Sequence, residues 1–236
     1  MRRSRTDTVS IGERGARRAV VAGARGAQRR TAHGVVLVGA LGAACGGGSP
    51  RPGASCAAER VVLASQADIA RVAHCATLRN LTVRTAGALD ASPLGSLATI
   101  TGDLVIGPTV GVDAFALGGL RVVGGAIRVV GNGMLQGFYA PRLERAGAIA
   151  VASNVALKTI SLPRLMRAGA LRVTDNAGLE ALDVAALAVL DDALVIAGVP
   201  ALTWLDAGAL RSAGHVELDA RALPAEQIAQ LRGLAP

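Results

Sequence analysis

The chain is short of aromatic residues, of lysine and of any apolar run long enough to cross a bilayer. Only 2% of its 236 residues are aromatic, although 51% are hydrophobic. Its interior must therefore be built from Leu, Val, Ile and Ala, which suits repeated aliphatic layers better than an aromatic-centred globule. Lys158 is the single lysine, and the other basic side chains are arginine. Histidine is equally sparse: His33 lies near the start, His74 beside Cys75 and His215 near the end. In an elongated fold the last two fall at opposite ends, which excludes a shared metal or a catalytic triad built on them.

The net charge of +8 belongs to one end of the chain. Nine arginines (Arg2, Arg3, Arg5, Arg14, Arg17, Arg18, Arg25, Arg29 and Arg30) precede Gly34, against Asp7 and Glu13. The remaining 16 basic and 15 acidic residues nearly cancel. A phosphate-binding surface needs Lys and Arg clustered in the folded part, so no nucleic-acid partner is expected.

Gly34 to Ala44 is an uncharged run that ends in small residues and meets Cys45. As a helix it would rise about 16 Å, against a bilayer core of about 30 Å. With arginines upstream, residues 1–44 have the layout of a basic leader and signal peptide. The stretch Cys45-Gly-Gly-Gly-Ser-Pro resembles a lipobox cysteine followed by a flexible tether over 45–55. Gly42 stands where that motif usually has Leu, with Leu41 one place further back. The resemblance implies a lipid on Cys45, a membrane anchor and a cell-envelope location, periplasmic or outer-surface. Plain secretion after cleavage, an uncleaved anchor and a start downstream of Met1 are the alternatives. If Cys45 carries lipid, Cys56 and Cys75 remain, and an exported chain is expected to pair them. The bridge would close a loop of about 20 residues and contribute roughly 3 kcal/mol.

From Leu81 onward the sequence is periodic. Seven apolar-x-apolar triplets recur: Leu81/Val83, Leu104/Ile106, Ile127/Val129, Ile149/Val151, Leu171/Val173, Leu194/Ile196 and Val216/Leu218. Successive triplets start 22 or 23 residues apart. Alternation with period two puts both apolar residues of a triplet on one side of a strand. Eight residues after each of the first six starts stand Leu89, Val112, Leu135, Leu157, Leu179 and Leu202. Eleven after stand Ser92, Phe115, Phe138, Ile160, Leu182 and Leu205; sixteen after, all six are leucine: Leu97, Leu120, Leu143, Leu165, Leu187 and Leu210. Leu is about one residue in eight here, so chance does not produce that last column.

The spacing is too short for a helix pair of about 34 residues or a propeller blade of about 40. One strand plus a return path fits, stacked at about 4.8 Å into one parallel sheet with aliphatic columns inside. The expected fold is mainly β: a right-handed, single-chain β-solenoid of about seven coils over 56–236. Short helices at 65–73, with Ser65 and Asp68 as a capping pair, and at 224–232, begun by Pro224 and stopped by Gly233, would cap its ends. Asn132, Asn154 and Asn176 fall five residues after three consecutive starts, where their amides can satisfy turn backbone in their own and neighbouring coils. The equivalent positions in the other coils hold Ala86, Thr109, Val199 and Arg221.

The pattern Ala168-x-x-Leu171-x-Val173-x-x-Asn176 resembles the leucine-rich repeat. Leu97-x-x-Ile100-x-Gly102-x-Leu104-x-Ile106, preceded by the Ser65 helix and Cys75, more closely resembles the receptor L domain, the ligand-binding module of growth-factor receptor ectodomains. The likeness covers about Cys56 to Leu234, and in the first coil Asn80 stands near the usual Gly. It implies a non-enzymatic binding module whose partner is a protein or envelope component.

The outward positions of the triplets are Thr82, Val105, Arg128, Ala150, Arg172, Val195 and Glu217, with Asp103, Ala126, Ala148, Ala170 and Ala193 beside them. This face is small, mixed and mildly apolar, and it is the expected binding face. A polysaccharide-cleaving β-helix enzyme, which gathers several acids and bases on such a face, is the alternative of another class; a structural envelope protein without a ligand is a third. Asp191-Asp192, the only adjacent acids, supply too few oxygens for calcium. Gly118-Gly119 and Gly124-Gly125 lack the Lys-Ser/Thr of a phosphate loop and read as turns. Tyr139 and Trp204, each next to a core position, are the only candidates for stacking on a sugar. No metal or cofactor is expected.

Overall fold

The computed structural model describes residues 56–234. The expected leader, the tether and the Cys45 lipidation site lie outside the described residues. What is described is a β-solenoid of about seven turns spanning 61–218, mainly β with two α-helices.

Each turn opens with one of the apolar-x-apolar triplets. These pair in parallel, in unbroken register, as the front sheet: Leu81↔Leu104↔Ile127↔Ile149↔Leu171↔Leu194↔Val216. An eighth rung, Val61–Leu63, pairs ahead of Leu81–Val83. It stands 20 residues before Leu81 and so outside the 22–23 residue frame, because a helix rather than a full return path separates the two.

The return path is more regular than the sequence suggests. Ala114–Ala116, Gly137–Tyr139, Thr159–Ser161, Ala181–Asp183 and Trp204–Asp206 form a second parallel sheet of five strands, the back sheet. Each of these strands buries one central residue: Phe115, Phe138, Ile160, Leu182 or Leu205. In the first coil Ser92 is exposed, and a 3₁₀ turn over Ser92–Ser96 takes the place of the strand. Pro93, which has no N–H to donate, stands inside that turn, and Leu94 fills the interior instead.

The interior is one continuous aliphatic stack. The all-leucine column is between 0 and 4% exposed along its length. Two further columns fill the same stack: Leu94, Leu117, Ala140, Leu162, Val184 and Ala207, then Ile100, Val123, Ala146, Ala168, Leu190 and Ala213. From each triplet start to the last of these columns the count is always 19 residues. From there to the next start it is three or four. The whole difference between 22- and 23-residue coils therefore sits at one corner, where the ladder shows bulges between Val123 and Ala126 and between Leu190 and Ala193.

Both ends are covered. At the front, α1 (Gln66–Val72) buries Ile69 and Val72 against the first rung. Its Asp68 carboxylate accepts from the Ser65 backbone N–H at 2.9 Å and the Ser65 hydroxyl at 2.8 Å. The Ser65 hydroxyl foremost, and the Ala64 N–H at 3.0 Å next, hold the Asp68 carboxyl below its ordinary value. Cys56 and Cys75 are joined, with Cα atoms 5.6 Å apart. At the far end, α2 (Ala225–Arg232) starts after Pro224 and stops at Gly233. Its Gln227 amide donates to Leu205 O at 2.6 Å and its Arg232 guanidinium to Leu218 O at 2.8 Å, satisfying one carbonyl on the last strand of each sheet.

Candidate functional site

The outward row of the front sheet is continuous. Val62, Thr82, Val105, Arg128, Ala150, Arg172, Val195 and Glu217 are direct neighbours from strand to strand. All seven residues expected on the binding face are thus brought together, and Val62 adds an eighth. Beside them, Ala126 and Ala148 are half-buried, but Ala170 and Ala193 are buried at 2% and 4% and add nothing to the face.

The two arginines of the row are not loose cations. Arg128 pairs with Asp103 at 2.8 Å and Arg172 with Asp192 at 2.8 Å. All four side chains are well exposed, so each pair adds well under 1 kcal/mol to stability and mainly fixes geometry. Asp103 also accepts the Ala126 N–H at 2.8 Å. That backbone bond first, and the Arg128 guanidinium second, hold the Asp103 carboxyl below its ordinary value. One coil earlier, Asn80 occupies the same position: its oxygen accepts the Asp103 N–H at 2.9 Å and its amide donates to Glu59 O at 2.8 Å. Asn80 therefore ties the first coils together from the position before the front strand. Arg60, Asn80, Thr82, Asp103, Val105 and Arg128 line a shallow notch of about 240 Å³ at this end of the row.

The asparagine positions form a buried ladder at the corner after the front strand. The Asn132 side-chain amide donates to Asn154 Oδ1 at 2.8 Å and to Ile106 O at 3.1 Å. Asn154 repeats this with Asn176 Oδ1 at 3.0 Å and Val129 O at 2.9 Å. Asn176 ends the series on Val151 O and Thr174 O. Thr109, which the sequence pattern sets apart from the asparagines, joins them: its hydroxyl donates to Asn132 Oδ1 at 2.8 Å and it is 1% exposed. Every asparagine of the ladder is fully buried. With their donors and acceptors committed to the fold, these amides support the bend and have no access to a substrate.

Cys56, His74 and Cys75 bring their ligand-type atoms within 4.8 Å of one another. The two sulfurs are bonded to each other, so neither is the thiolate that a metal requires. His215 lies in the last front strand, Ser212–Leu218, seven rungs from the first. Asp191 and Asp192 are exposed and face Arg167 and Arg172 respectively, at 3.5 and 2.8 Å. Comparison with protein-family models, with curated proteins and with solved structures finds no match to this chain.

Proposed function

We propose that this chain is the recognition part of an exported lipoprotein: a non-enzymatic module of the receptor L-domain kind, held at the membrane through Cys45. Its outward front-sheet row binds a protein or envelope component. The observation that carries this reading is the unbroken row from Val62 to Glu217, which presents eight strands' worth of small and mixed side chains on a rigid sheet. Its two arginines are held by ion pairs, which keeps that part of the surface ordered before a partner arrives and lowers the entropic cost of association. The Cys56–Cys75 bridge fits an oxidising compartment. Among the described residues no helix is long and apolar enough to cross a membrane, and attachment is assigned to the lipid.

Ala150, midway between Arg128 and Arg172, is the place to test this. A photo-crosslinking side chain at that position, in intact envelopes, should trap one discrete partner. Arg128→Glu/Arg172→Glu should cut the yield at least about fivefold by reversing the local charge. A crosslinked product that is absent, or indifferent to the charge reversal, would favour a scaffold without a ligand. Metabolic labelling with a clickable fatty acid should be lost in Cys45→Ser; persistence would sink the anchor.

A further inference from the structure

All four aromatic residues of the chain lie in back-sheet strands. Phe115 and Phe138 point inward and are fully buried. Tyr139, one residue after Phe138, and Trp204, one residue before Leu205, point outward by strand alternation. Trp204 is 50% exposed. Tyr139 lies back over Gly137: a Cβ there would collide with Cε2, Cζ and Oη of its ring. The ring is thereby laid along the sheet, with the glycine beneath it.

The strands between the two rings form a low, polar floor. Strand register runs Tyr139↔Ser161↔Asp183↔Asp206 in one column and Gly137↔Thr159↔Ala181↔Trp204 in the other. Three inter-strand steps separate the rings along the stacking direction, about 14 Å. Thr159, Ser161, Asp183 and Asp206 are half-buried and turn hydroxyls and carboxylates outward. The Ser161 hydroxyl donates to Asp183 at 3.1 Å. Asp206 accepts the Gly208 N–H through one oxygen only, so its other oxygen has no bond among the described residues. In the column alongside, Lys158 and Glu180 stand on successive coils and carry opposite charges.

We propose that this outer face of the back sheet binds an uncharged glycan chain lying across the strands. Flat sugar faces stack on Tyr139 and Trp204, and sugar hydroxyls bond to Ser161, Asp183 and Asp206. Two amphipathic rings separated by acceptors and hydroxyls match a polymer that alternates apolar ring faces with hydroxyl edges. A protein hot spot, by contrast, wants its aromatic anchors gathered in one desolvated centre. The adjacent Asp183 and Asp206 carboxylates repel uronates and sulfated sugars, which sets the charge of the ligand. This proposal is independent of the front-sheet reading.

Trp204 is the only tryptophan, so its fluorescence reports on this face alone. The full chain is titrated with uncharged glucose and N-acetylglucosamine oligomers of increasing length, and with a uronate oligomer as the charged control. The expected result is a saturable fluorescence change whose affinity climbs with length until one oligomer spans both rings, then levels. Tyr139→Ala, and Trp204→Ala read by calorimetry, should each weaken binding about tenfold while leaving the thermal melt unchanged, since stacking on each ring is lost. Ala150→Arg, on the front sheet, should leave it intact. No response to any uncharged oligomer, equal binding of the uronate, or binding indifferent to Tyr139→Ala overturns the proposal.

Discussion

The two corners that flank the front strand solve the same problem by opposite means. After the front strand the bend is held by buried side chains: Thr109, Asn132, Asn154 and Asn176 pass hydrogen bonds from coil to coil. Before the front strand, apart from the Asn80 and Asp103 side-chain bonds of the first coils, the bend rests on close backbone approach at Gly102, Gly124, Gly125, Gly147, Gly169 and Gly214. A Cβ at Gly169 would collide with the carbonyl of Gly147 one coil below. The first corner has a fixed length in every coil, while the second takes three or four residues from the last buried column to the next strand. A ladder of side-chain amides works only if each amide meets its neighbour in register. A glycine bulge needs only that backbones approach closely, and so it absorbs an extra residue.

The largest effect should follow from breaking the ladder at its middle. Asn154→Ala removes the partners of Val129 O, Ala152 O and both neighbouring asparagines, and it should cost about 3–5 kcal/mol in a chemical-denaturation midpoint. A loss under about 1 kcal/mol would mean that the ladder is incidental to the bend.

The glycine corner should respond differently to shape and to length. Gly169→Ala puts a methyl group into a backbone carbonyl and should cost about 1–3 kcal/mol. One glycine inserted after Gly147 merely turns a 22-residue coil into a 23-residue one and should shift the melting temperature little. The same insertion between Val151 and Asn154 moves Asn154 from five to six residues after its strand start, so both of its rungs are lost, and it should lower the melting temperature far more. If the two insertions prove equally harmful, the distinction between the corners fails.

The smallest effect concerns acid. Because the folded Asp103 carboxyl is held below its ordinary value, its contribution is complete above that value. The contribution is lost as pH falls through the lowered folded value. Asp103→Asn keeps an acceptor for Ala126 but loses the charge that Arg128 faces. The variant should therefore melt slightly lower than the parent at about pH 6, and the gap should close as pH falls through the lowered value. A gap that widens on acidification would contradict the assignment.

The front strands, the leucine column and the positions of both helices were legible in the sequence because each repeats a two-residue or single-residue signal at fixed spacing. The back sheet was not. Its strands are three residues long with one buried large side chain each, so the column through Phe115 and Ile160 is visible in the sequence but no alternation marks it as strand. The alanines at 140, 146, 168, 207 and 213 hid two interior columns, since Ala is common everywhere in this chain. Thr109 was left out of the ladder by its identity, although its hydroxyl can donate where an amide would. The ion pairs of Arg128 and Arg172 depend on which coil's corner carries the acid, one coil back for Asp103 and one forward for Asp192. Residue type does not reveal that choice.

The two bonds from Gln227 and Arg232 to the last carbonyls of the back and front sheets mark where the stack stops. Every other strand end in this architecture is a template for the next copy of itself. Without α2 the terminal rung would offer two open parallel edges, one on each sheet, to any unpaired strand able to dock. Eight residues of helix thus close the far end of the stack, as α1 closes the near one.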